Sequence, residues 1–128
     1  MKFTAAKILL ISTLLAGATS AGAQYPARPF IDRGLFDRVR ADLDRASAYA
    51  WASRADQKRF DQARRELFDF ESRFDRGRYD RHELDQAISR MQKVVSQNSL
   101  DPGDRGALEN DLRRMRDYRA FREHEYRR

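Results

Sequence analysis

Residues 74–88 read FDRGRYDRHELDQAI, and this stretch decides what body the chain has. A Gly, an apolar residue, an Asp and then Glu-Leu can end a calcium-binding loop. With Gly77 at the sixth position of such a loop, Asp80 falls at the ninth and Glu83 at the twelfth. The first, third and fifth positions, which must carry oxygen ligands, then fall on Ser72, Phe74 and Arg76. A phenyl ring cannot coordinate calcium, and a guanidinium repels it. Read as the junction of two helices, every residue has a use. Gly77 ends the first helix by accepting the left-handed conformation common just past a last turn. Asp80 caps the second. Glu83, three residues on, reaches back to the cap's N–H in a capping box, with Tyr79 and Leu84 placed for a hydrophobic staple.

Outward from this junction the pattern is helical throughout. Upstream, Phe60, Ala63, Leu67, Phe70 and Phe74 recur at steps of three and four, with Phe68 expected to widen the stripe. Downstream, Leu84, Ala87, Ile88, Met91, Val94 and Val95 form another, closed by Asn98 as an expected left-handed stop. Asp101-Pro102 restarts the chain, Asp as cap and Pro at the first helical position. Leu108, Leu112 and Met115 then face inward. Near the N-terminal side, Asp32 is the expected cap of a helix carrying Phe36, Val39, Leu43, Ala46 and Ala50. Ser53 and Asp56 both suit a cap after residues 48–53 (AYAWAS), and one long kinked helix through this region is the alternative. Tyr49 and Trp51, two residues apart, point to nearly opposite sides and are expected to cover that turn, the alternative being that one is exposed as a partner contact.

No segment alternates like a strand. The expected fold is all-α, an up-and-down bundle of about four amphipathic helices. It follows a cleaved signal peptide, residues 1–23, read from Lys2, Lys7, the apolar run 8–18 and Ala21-Gly22-Ala23. Residues 24–31 form an extended lead-in, 32–122 the bundle, and 123–128 a frayed basic tail. The chain is therefore expected to be secreted or periplasmic, with no integral span in its mature part.

Composition narrows the chemistry. The chain has no Cys, so disulfides, thiolate metal sites and Cys nucleophiles are excluded. Its 128 residues carry a net charge of +6. Without residues 1–23 the surplus of positive charge falls entirely in residues 113–128, RRMRDYRAFREHEYRR. There Arg113, Arg114, Arg116, Arg119 and Arg122 interleave with Tyr118, Phe121 and Tyr126. Arginine forks fit phosphate and carboxylate, so these eight residues are the candidate contacts for an anion or a partner. Cations near a helix C-terminus also complement its dipole without any ligand. His82 and His124 have no metal-binding spacing, and no nucleophile or phosphate-loop motif occurs. The abundant carboxylates nearly all have an Arg close in sequence. The reading is no enzyme, no cofactor and no metal.

Residues 75–119 resemble a group of small exported bacterial helical proteins of unknown function. Leu100-Asp101-Pro102-Gly103-Asp104-Arg105 is similar to the LTxxQ motif of periplasmic stress chaperones of the Spy and CpxP type. That resemblance implies a small helical protein that holds unfolding clients on a cradle-shaped dimer. The leading expectation is a non-enzymatic exported protein that acts by binding. Alternatives are a chaperone of envelope stress and a binder of an anionic envelope polymer or lipid through the Arg-rich last helix. Nucleic acid is not an expected partner. A homo-oligomer, with the first two helices pairing with a second copy, stays open.

Overall fold

The computed structural model describes residues 33–49 and 52–127. The expected signal peptide, the lead-in, the Asp32 cap, Ala50 and Trp51 lie outside the described residues, as does the side chain of Tyr49.

The chain folds into α1 (Arg33–Tyr49), α2 (Arg54–Phe74), α3 (Arg81–Gln97) and α4 (Pro102–Tyr126). No strand occurs among the described residues. Each helix packs on the next, and α4 returns to α1, so the four close into a ring. Short links make successive helices antiparallel neighbours, as in an up-and-down bundle.

The caps explain the boundaries. The Ser53 hydroxyl accepts from the Asp56 N–H at 3.1 Å, which resolves the choice between the two candidates and starts α2 as a separate helix. Asp80 accepts from the Glu83 N–H at 3.1 Å, and Asp101 from the Asp104 N–H at 2.8 Å. These bonds satisfy backbone donors that the first turn leaves unpaired. They also hold both capping carboxyls below the usual range, the backbone N–H being the largest cause in each. At the opposite end of α2, Gly77 has φ of 76°, and the Arg78 N–H turns back to the Arg73 carbonyl at 3.0 Å.

The expected stripes meet in one core. Phe36, Val39, Leu43 and Ala46 of α1 are buried with Phe60, Ala63, Leu67 and Phe70 of α2. Leu84, Ala87, Met91, Val94 and Val95 join from α3, and Leu108, Leu112, Met115 and Tyr118 from α4. Full burial of each large side chain contributes about 1.5–3 kcal/mol before chain entropy is set against it. One end of the core is aromatic. Phe36, Phe70 and Tyr118 stand with ring centroids 4.9 to 6.5 Å apart, mostly tilted or edge-on.

Five expectations are corrected. Phe68 does not widen the core stripe; it is 66% exposed. It lies one position past Leu67, about 100° around the helix, which turns it away from both neighbouring helices. Asn98 is not left-handed but extended, with φ of −81° and ψ of 149°. Its amide explains why: Nδ2 donates to the Asp56 carbonyl at 3.2 Å, and Oδ1 accepts from Arg59 at 3.2 Å. Glu83 makes only half of the capping box; its carboxylate turns instead to Arg73, 3.3 Å away. The last helix does not end at residue 122 but runs through Tyr126. Tyr118 is not a surface contact but part of the core, 0% exposed.

Candidate functional site

The eight residues singled out on α4 divide into two sets. Arg119 and Arg122 occupy positions where the apolar stripe fades, and they face other helices instead of solvent. Arg119 donates through Nε and Nη2 to the two carboxylate oxygens of Asp85 on α3, the second at 3.2 Å. This bond is the main reason its guanidinium is held above its usual range. Arg119 also lies 3.3 Å from Glu123, which pairs with Arg81 of α3 at 2.9 Å. Arg122 sits over the Tyr79 ring, 4.6 Å from its centroid, and Tyr126 stacks on the same ring at 6.3 Å. Together these contacts fasten the end of α4 to the start of α3. Tyr118 sits beneath them, and burial pushes its phenol up to about 12. Phe121 is half-buried. A free ligand would have to compete with this set.

Arg113, Arg114 and Arg116 remain exposed. Arg113 and Arg116 border a shallow groove of about 390 Å³ between α3 and α4, alongside Gln92, Val95, Glu109 and Asp117. Arg116 donates to Gln92 at 2.5 Å. The two acids beside the two arginines leave this groove without a net positive field.

A second surface was not foreseen from the sequence. Along the outer face of α2 stand Arg54, Lys58, Asp61, Arg65 and Phe68, at steps of four, three, four and three. Arg54, Lys58 and Arg65 are exposed and take no ion-pair partner among the described residues. Asp61 is held by Arg64 at 3.2 Å. A shallow groove of about 370 Å³ runs between these side chains, lined also by Gln57 and Gln62. The stripe ends on the exposed Phe68 ring. The signal was present in the sequence as basic residues at helical spacing on the face opposite Phe60, Ala63 and Leu67.

Carboxylates also converge. Glu66, Asp69 and Glu83 bring oxygens within 4.8 Å of one another across α2 and α3. Arg73, beside Glu83 and bonded to Asp80, supplies positive charge at the same place. His82 is exposed in the first turn of α3. Residues 100–105 form the approach, cap and first turn of α4. Among the described residues no helix is long and apolar enough to cross a membrane. Comparisons with protein-family models, with curated proteins and with solved structures found no match.

Proposed function

We propose that this is a non-enzymatic binding protein of the cell envelope, exported as its N-terminal sequence suggests, and that it meets an anionic lipid surface through the outer face of α2. One observation supports this reading above others. Three exposed cations without ion-pair partners among the described residues, Arg54, Lys58 and Arg65, lie in register with a phenyl ring that is 66% exposed. Each basic side chain near an anionic headgroup layer is worth about 1 kcal/mol. An aromatic ring beside them gains by leaving water for the headgroup and acyl boundary. Asp61 opposes the field within the stripe, and Arg64, which it shares with Asp44 of α1, offsets part of its charge. The apolar stripes of the four helices are spent on one another, which favours contact at the outer surface.

Co-sedimentation with vesicles tests the reading. Binding is expected with phosphatidylglycerol-containing vesicles, not with neutral ones, and should weaken as salt is raised. Replacing Arg54, Lys58 and Arg65 together by Gln should weaken it about 100-fold, the loss expected from three cations. Phe68→Ser should weaken it while leaving its salt dependence intact. Unchanged binding by the triple variant would refute the assignment to α2. Retention on heparin or lipopolysaccharide without vesicle binding would move the partner from a bilayer to an anionic polymer.

A further inference from the structure

Asp111 stands on the inward stripe of α4, three residues after Leu108 and four before Met115. It is 0% exposed, and neither of its carboxylate oxygens has a hydrogen-bond partner. The charged group that bears on it most strongly is Asp42 of α1. Asp42 is itself only 13% exposed in its side chain and accepts from Arg45 at 2.6 Å. Two ionised carboxylates can only accept, so neither satisfies the other. A proton on one turns it into a donor and removes a like charge from a closed site. The other charges bearing on Asp111 are Arg38 of α1 and Arg114 of α4, and both act more weakly than Asp42. From α3, which also packs on α4, the buried side chains are the apolar Leu84, Ala87, Met91, Val94 and Val95.

We infer that Asp111 and Asp42 hold one proton between them across the seam of α1 and α4, and that loss of this proton at alkaline pH loosens the seam. Burial first, and then the neighbouring Asp42 carboxylate, push the Asp111 carboxyl up to about 7. A carboxyl raised on folding stabilises the fold fully below its ordinary value of 3.8. That stability is lost as the pH rises through its raised value. The position of the pair gives the loss a direction. α1 and α4 are the first and last helices of the ring, with no direct link between them. The seam can therefore open while α2 and α3, joined by the 75–80 turn and packed most extensively, stay together. Opening would bring Leu43 and Leu108, both buried in the closed ring, toward solvent. The bundle is then tightest in acid and opens on one side above neutrality.

Two measurements test this on the whole protein. Between about pH 5 and about pH 8, the unfolding constant of the wild type should rise tenfold or more, read from urea midpoints. Asp111→Asn keeps an uncharged donor toward Asp42, and its midpoint should fall much less over the same range. Hydrogen exchange on the wild type, corrected for the intrinsic pH dependence, should show protection falling in α1 and α4 before α2 and α3. This second reading does not depend on the variant folding. Parallel pH profiles for wild type and Asp111→Asn would overturn the shared proton. Simultaneous loss of protection in all four helices would overturn the opening of one seam.

Discussion

Gly77 has φ of 76° and open space where a Cβ would stand. The cost of any side chain there is therefore conformational and not a clash. Gly77→Ala should lower stability by about 1–2 kcal/mol, the ordinary penalty for an L-residue in that region. A urea titration reads this directly, and an unchanged midpoint would show that the turn can be remade. Tyr118 makes the opposite case. Its ring is fully buried among Phe36, Phe70 and Phe74, but its hydroxyl has no partner. A buried donor without a bond is a liability. Tyr118→Phe should thus be neutral or stabilise by up to about 1 kcal/mol, seen as an equal or higher melting temperature. A clear loss would mean that the hydroxyl does find a partner in solution.

The difference between these two residues also marks what is legible in a sequence. Gly77, Asp80, Asp101 and Ser53 act within a few residues of themselves, and their roles follow from local spacing. Asn98 does not. Its extended backbone answers to a carbonyl and a guanidinium on α2, far along the chain. Asp111 is an intermediate case, since an Asp midway between Leu108 and Met115 on an apolar stripe is a visible anomaly. Its partner Asp42 is not visible, because only packing brings α1 against α4.

At the scale of an element, α4 departs furthest from its pattern. Its apolar stripe stops at Tyr118, yet the helix continues to Tyr126. Fading hydrophobicity predicts fraying, but the partners that prevent it, Asp85, Arg81 and Tyr79, belong to α3 and the turn before it. The same contacts reduce the candidate site on α4 to its exposed arginines, while the α2 stripe gains importance. A chain ending after Tyr118 should lose about 1–2 kcal/mol, the sum of modest surface ion pairs and one cation–π contact. Its helical content should fall by no more than the residues removed. If stability is untouched, the α3–α4 contacts contribute nothing in solution and the tail is again available to a ligand. The helical stripes themselves were legible because a period of three and four is local; the outward turn of Phe68 was not, because the width of a core face depends on how many neighbours a helix has.

For the whole molecule, the carboxyls divide into two opposed groups. Asp80 and Asp101 are held below the ordinary range by the N–H groups they cap. They stabilise the fold above that range and lose this contribution as the pH falls through their depressed values. Asp111 is pushed up to about 7, and Glu71 and Asp104 are also raised, burial being the largest cause in each. These three stabilise fully in acid and lose their contribution as the pH rises. Asp101 is an exposed cap and Asp80 a half-buried one, whereas Asp111 is closed off completely, so its proton carries more weight per group. The melting temperature should therefore peak in acid, near the ordinary carboxyl value of about 4, and decline toward about pH 8. In Asp111→Asn the decline should flatten and the peak move toward neutrality, while the loss on the acid side, which belongs to the caps, stays in place. Calorimetry across that range separates the two groups. A wild-type melting temperature that climbs from mild acid to mild alkali would mean that the caps dominate and that Asp111 is ionised within the closed bundle.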